Sequence, residues 1–259
     1  MKDYIEDCLK NGKYFFTKEE VLKKIPIKEA NFRVQISRLA KKQDIQKLGH
    51  ALYMIIPLEY QNIGSLPPEW IVDKLMKHLE KDYYIGLLTA ASLHGIAHQQ
   101  PMIFQVICND TLKPIILSKG EVHFYRYKQM SEAQTEHLRT KIGSSLISTK
   151  EQTVFDLVRF YKKAGYFDNI ATIIRDIHEE LDVTKLSVVA HVEPEETVLQ
   201  RLGYLFDILE APDHAKVIEE ELYKRKFYWI KLKPELNQPA LEKVKKWKLI
   251  INDNIEFEE

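Results

Sequence analysis

Helix start and stop signals follow one another so closely in the first sixty residues that the segment admits only short helices and a hairpin. Ile5 and Leu9, four apart, give one apolar face to a helix over about Lys2–Lys10, and Asn11-Gly12 ends it by tolerating left-handed backbone. Thr17 precedes Lys18-Glu19-Glu20, so its hydroxyl can cap a second helix while Glu20 completes a capping box. Val21, Leu22 and Ile25 supply the buried side of that helix, and Pro26 stops it. A third helix is expected over Lys28–Gln43, with Phe32, Ile36 and Leu39 at the spacing of a buried stripe. Residues 44–56 then read as two short strands joined at Gly49-His50.

That order, a helix, a capped helix, a short turn, a basic helix and a basic hairpin, is the order of a winged helix-turn-helix, expected over residues 1–62. Charge agrees with it. The whole chain is neutral, with 38 basic and 38 acidic residues, which by itself argues against a general polyanion binder. Between Lys10 and Tyr53, however, eleven basic residues face only Glu19, Glu20, Glu29 and Asp44. The polar side of the third helix carries Asn31, Arg33, Ser37, Arg38 and Lys41, with Lys28 at its start. Arginine forks match guanine edges, asparagine amides match adenine, and lysine supplies charge to phosphates. Lys47 and His50 flank the hairpin turn, where a wing would meet the backbone of double-stranded DNA. A small helical domain used only for packing would fit the same elements, since fold does not fix function.

Residues 61–68, Gln-Asn-Ile-Gly-Ser-Leu-Pro-Pro, are the best candidate linker, leaving 68–259 as a second domain. Trp70, Leu75 and Leu79 mark a helix to about Lys81, and Ile85–Gly95 reads as a buried helix of small and apolar residues. Strands are expected at 102–108, 113–117 and 121–128, with Lys119-Gly120 turning the last pair, and near 228–232 and 248–252. Between them, residues 150–225 should hold four or five helices. With only 9 Gly and 10 Pro, long helices are favoured. The expected class is α+β: the winged helix, then a larger helix-rich domain with a small mixed sheet. No apolar run approaches the ~18 residues that span a bilayer, and the start resembles no signal peptide, so a soluble, cytoplasmic protein with no membrane partner is expected. Cys8 and Cys108 lack the number and spacing for a disulfide framework or a thiolate zinc site.

Four further segments carry a resemblance. They are residues 83–95 with Gln99-Gln100-Pro101, the hairpin end at 49–53, residues 148–157, and Arg201-Leu202-Gly203-Tyr204-Leu205. Taken together in chain order, they resemble the AbiEi family of antitoxins and transcriptional regulators. The resemblance implies a repressor that binds inverted repeats in its own promoter through the winged helix. It also implies an antitoxin of a type IV toxin–antitoxin (abortive infection) system that counters a nucleotidyltransferase toxin without a stable complex. Thr89, His94, Gly95, Gln99, Arg201 and Tyr204 are the antitoxin-domain motif residues so marked. The family often has an arginine after the wing turn; His50 stands there, which implies a weaker, pH-sensitive phosphate contact.

Catalytic constellations are harder to find. His94 and His98 lie four apart, but Gly95 and Pro101 interrupt the helix and no third ligand is evident, so no metal is expected and His94 reads as bonded at a helix end. No Asp-x-Asp pair, GxxxxGK[ST] loop or GxGxxG turn occurs. Glu151 suits a helix N-terminus after a Ser148-Thr149 cap, rather than pairing with Asp156. Tyr83-Tyr84 and Phe227-Tyr228-Trp229 could stack single-stranded RNA, a weaker reading for want of interleaved basic residues. No enzyme and no cofactor is expected. The rival readings are a nucleic-acid-processing enzyme targeted by its winged helix, and a protein-binding adaptor using the same basic face.

Overall fold

The computed structural model describes residues 1–96 and 101–257 of the 259-residue chain. It is a mixed α+β structure of helices and three small sheets, and it divides into two compact units. The first comprises residues 1–85, 102–130 and 137–146; the second comprises 86–101, 131–136 and 147–259.

The first unit begins with α1 (Lys2–Lys10), β1 (Phe15–Thr17), α2 (Lys18–Lys24) and α3 (Glu29–Lys41), then β2 (Ile45–Gly49) and β3 (Leu52–Ile55). The capping box expected at α2 is present: Thr17 Oγ1 accepts from Glu20 N at 3.2 Å, and Glu20 Oε2 accepts from Thr17 N at 2.8 Å. Three antiparallel strands form a sheet in the order β1-β3-β2, in which Phe15 pairs with Met54 and Gln46 also pairs with Met54 from the other side. The hairpin turns one residue later than the sequence suggested. Gly49 pairs with Leu52, so His50 and Ala51 are the two loop residues, both left-handed at φ 49° and 60°. That geometry is a type I′ turn, whose twist matches the strands on either side.

Each face of this sheet is buried. Tyr4, Ile5, Phe16, Phe32, Ile36, Leu39, Ile45 and Ile55 form one apolar cluster beneath the helices. Phe15, Leu48, Leu52 and Met54 belong to another, with Leu66, Ile71, Leu75 and Val106. The second cluster explains why residues 62–67 do not run as a free linker: Leu66 is buried, and Ser118 Oγ donates to Gly64 O at 2.7 Å. The unit continues with α4 (Pro68–Leu79), β4 (Tyr83–Ile85), β5 (Ile103–Cys108), β6 (Ile115–Ile116) and β7 (Glu121–Arg126). These four strands, with β8 (Thr135–Thr140) and β9 (Gly143–Ser148), form a six-stranded sheet in the order β6-β7-β5-β4-β9-β8. β5 and β7 are parallel, β4 and β5 antiparallel.

The second unit contains α5 (Leu87–Leu93) and then α6 (Lys150–Arg159), α7 (Tyr166–Ile177), α8 (Val183–Val192), α9 (Glu196–Ile208) and α10 (Pro212–Leu222). The single buried helix expected over Ile85–Gly95 is therefore shorter and follows the strand β4. Phe155, Phe167, Leu199, Leu202, Phe206 and Ile218 are fully buried among these helices. A three-stranded sheet closes the unit in the order β10-β12-β11, from β10 (Ile230–Lys231), β11 (Glu242–Val244) and β12 (Leu249–Ile251). Both cysteines are free and buried, and no helix among the described residues is long and apolar enough to cross a membrane.

Candidate nucleic-acid interface

Aromatic packing fixes how α3 is presented. Tyr53 of β3 stacks on Phe16 at 5.3 Å and 14°, and meets Phe32 of α3 edge-on at 5.8 Å and 80°. Such ring pairs are directional, so the helix is held in rotation as well as in position. With Phe32, Ile36 and Leu39 turned inward, Asn31, Arg33, Ser37, Arg38 and Lys41 are all exposed. Val34, absent from the sequence-based set, is 50% exposed on the same helix. The sequence reading gathers only polar side chains on that face, although position 34, two residues from Phe32, falls on it by the helical period.

The basic residues do not form one uniform patch. Arg38 and Lys41 line a groove of about 460 Å³ with Gln35, Lys42, Met1 and Lys2. Lys42 was legible from the Lys41-Lys42 pair; Lys2, forty residues away, was not. Arg33 is engaged elsewhere: its Nη2 lies 2.7 Å from Glu29 Oε1, the same oxygen that Lys18 Nζ approaches at 2.7 Å. Hydrogen bonds from Lys18 and then Arg33 hold the Glu29 carboxyl below its ordinary range. Lys28 is the N-cap residue of α3 and lies outside the helix proper, because α3 starts at Glu29. Lys47 and His50 are exposed on the hairpin. The carbonyl of His50 is 2.8 Å from His78 Nε2, which ties the turn to α4 and requires Nε2 to carry the proton. Nothing in the sequence pointed to His78.

The motif residues of the second unit occupy structural positions. Thr89 is buried in α5. His94 ends that helix, with Nε2 2.7 Å from Ser148 O, the kind of helix-end bond expected for it. Gly95 follows at φ 78°; Ile96 N donates to Ala91 O and Gly95 N to Ser92 O, a Schellman ending that needs a residue free of left-handed strain. Gln99 and His98 lie outside the described residues. Among the described residues no group of three or more His, Cys, Asp or Glu could hold a metal ion.

Arg201 of α9 is almost wholly buried. It donates from Nε to Leu232 O at 3.2 Å and from Nη2 to Lys231 O at 3.1 Å, with its guanidinium 5.4 Å from the Phe167 ring centre. Burial lowers its pKa. It anchors β10. Tyr204 is half-buried, and burial raises its hydroxyl pKa. Thr149 caps α6 as expected, accepting from Gln152 N at 3.2 Å, but Glu151 is buried and accepts from Asp182 N at 3.0 Å, bracing the start of α8.

Residues 84–208 match the family model of the AbiEi antitoxin C-terminal domain. The chain carries an AbiEi antitoxin domain. Its ends fall at β4 and at the last residue of α9, so the AbiEi domain includes every described motif residue from Thr89 to Tyr204. The AbiEi match points to a toxin–antitoxin role. The fold is similar to that of the RV2827C protein from Mycobacterium tuberculosis, over 95% of this chain and 89% of that one, at a TM-score of 0.66 and 12% identity. An antigenic nucleotidyltransferase-like protein from Paracoccidioides brasiliensis aligns with 59% of this chain and 90% of its own, at 11% identity; its TM-score of 0.37 is too low to indicate a shared fold. No curated protein matches the sequence significantly.

Proposed function

We propose that this protein is a DNA-binding antitoxin that represses its own operon, with residues 1–62 as a winged helix-turn-helix and 68–259 as the antitoxin portion. The observation that carries the reading is the uncovered face of α3, held outward by Phe32, Ile36 and Leu39 beside a two-residue hairpin turn. In this reading α3 enters the major groove. Asn31, Arg33 and Ser37 address base edges, and Val34 suits the methyl group of thymine. Lys28, Arg38, Lys41 and Lys47, with His50, hold phosphates, and the groove that brings Lys2 and Lys42 beside Arg38 and Lys41 extends that contact.

Arg33 must leave Glu29 to reach a base. An exposed pair four residues apart on a helix is weak, whereas a bidentate guanine contact is strong, so the exchange favours DNA of the right sequence. A wrong sequence leaves Arg33 on Glu29, which adds to discrimination.

The AbiEi domain supports the second half of the proposal, countering a nucleotidyltransferase toxin without a stable complex. AbiEi antitoxins are not normally enzymes, and the activity proposed here is not catalytic. The test is fluorescence anisotropy of the full chain on its own upstream DNA, where this reading expects inverted repeats, against a scrambled duplex. The four Lys and Arg contacts from Lys28, Arg38, Lys41 and Lys47 alone imply a salt slope of roughly −3.6, or about a hundredfold loss of affinity between 50 and 200 mM salt, and any phosphate contact from His50, Lys2 or Lys42 steepens it. Equal affinity for both duplexes would remove the repressor reading.

A further inference from the structure

The small sheet of the second unit presents a face that the proposed DNA contact does not use. Its register sets Lys231, Ile250 and Lys243 side by side across the three strands. Because side chains alternate along a strand, these point away from the buried Leu232, Leu249 and Ile251. Trp229, two residues before Lys231, is 43% exposed, and Lys243 Nζ lies 5.9 Å from its ring centre. Tyr228 is 64% exposed, with Lys226 Nζ 5.5 Å from its ring centre.

Basic residues surround these rings after all, reaching them from both sides in sequence. Residues 223–248 contain nine Lys or Arg against only Glu235 and Glu242. Some are committed internally. Lys224 pairs with Glu221, Lys233 is buried between Asp168 and Asp253, and Lys246 pairs with Asp207 and Glu219. Arg225 donates to the carbonyls of Ala190, His191 and Glu193. Among the described residues, Lys226, Lys231, Lys243, Lys245 and Lys248 have no carboxylate partner. Lys248 Nζ donates to Phe227 O at 2.9 Å and lies over that ring, whereas Lys226, Lys231 and Lys243 are set at the exposed rings by ring contact or register. In a chain of zero net charge, three such lysines beside two exposed rings call for a polyanion that carries flat groups.

We propose that this face binds single-stranded RNA. A base stacks on Trp229 while Lys231 and Lys243 follow the phosphates, and Tyr228 with Lys226, just ahead of the strand, offers the next ring and cation along the nucleic-acid strand. A stacked base outweighs an exposed cation–π contact, so it displaces Lys243 from the indole and frees that ammonium for a phosphate. Duplex bases are covered by their neighbours, and cellular DNA is duplex, whereas RNA offers unstacked loops and ends. The site lies beyond residue 208, outside the matched antitoxin domain, and it is independent of the α3 face.

The test uses the full-length protein and a labelled 12-nucleotide RNA of mixed sequence, read by anisotropy and by tryptophan fluorescence. RNA should quench the wild type, and Trp229→Phe should abolish that quenching while preserving most affinity. Trp229→Ala should weaken binding about tenfold, from the loss of one stacked base. Lys243→Gln, at an exposed position that leaves the fold intact, should reduce the salt slope by about 0.7. Lys41→Gln on α3 should leave RNA binding unchanged. The proposal is overturned if Trp229→Ala and Lys243→Gln both bind as the wild type does, or if Lys41→Gln abolishes binding. It is equally overturned if duplex, single-stranded DNA or anionic vesicles compete better than unlabelled RNA.

Discussion

Gly203 lies inside α9, where alanine would ordinarily strengthen the helix by ~1 kcal/mol. Here the sign reverses. A Cβ at this position would stand 2.3 Å from both Cη2 and Cζ3 of Trp247 and 2.8 Å from its Cε3. The indole cannot move aside cheaply, being fully buried with Nε1 donating to Asp207 Oδ2 at 2.6 Å. Overpacking of this kind costs about 1–3 kcal/mol, and a contact this short belongs at the upper end. Net of the helix gain, Gly203→Ala should destabilise by ~2 kcal/mol, lowering the melting temperature by roughly 4–8 °C for a protein of this size. Urea unfolding followed by circular dichroism measures it. The decisive comparison repeats the change in a Trp247→Leu background, where the ring is gone and alanine should be neutral or stabilising by up to ~1 kcal/mol. An equal loss in both backgrounds would refute the argument that the indole dictates the glycine.

Ala51 holds a left-handed conformation at φ 60° in the hairpin turn, so Ala51→Gly should stabilise the protein by ~1 kcal/mol in the same urea assay. Thr17→Ala removes the capping-box hydroxyl from α2 and should cost ~1 kcal/mol, read as faster amide exchange of Glu20 and a lower urea midpoint. Glu193 is buried against Arg159, and burial, outweighing the Arg159 attraction, pushes its carboxyl up to about 7. Because the folded value exceeds the unfolded one, its contribution to stability is fully present below about pH 4.5 and is lost as pH rises through 7. Wild type should therefore lose on the order of 1–3 kcal/mol relative to Glu193→Gln between pH 5 and 8, and parallel urea midpoints across that range would contradict it.

Where local chemistry decides an element, the sequence was readable. The Asn11-Gly12 stop and the Thr17 cap placed α1 and α2, and the 3–4 spacing of Phe32, Ile36 and Leu39 placed α3. Where pairing or distant packing decides, it was not. β1 is three residues long and exists because Phe15–Thr17 pair with β3. β4 is buried throughout and so shows no alternation; it went unmarked, and its last residue, Ile85, was read into the helix that follows. β8 and the outer part of β9 are mostly exposed and polar, without an apolar rhythm to mark them. The same division holds for the candidate sites. The polar face of α3 was legible from its periodicity, but the engagement of Arg33 by Glu29 and Lys18, and the entry of Lys2 into the Arg38 groove, depend on folding. In the antitoxin domain, the resemblance marks Arg201 and Tyr204, with Gly203 between them. The folded chain explains Arg201 and Gly203 by Leu232 and Trp247, each at least thirty residues further on.

The most direct test of DNA binding through α3 is anisotropy titration of wild type, Lys41→Gln and Arg33→Ala on the upstream duplex and its scrambled counterpart at two salt concentrations. Wild type should prefer the upstream duplex, with affinity falling steeply as salt rises. Lys41→Gln should weaken both duplexes alike and lower the salt slope by about 0.9, and Arg33→Ala should erode the preference by the ~1–3 kcal/mol of one bidentate base contact. If both variants bind and discriminate as the wild type does, α3 is not the reading helix and the account fails.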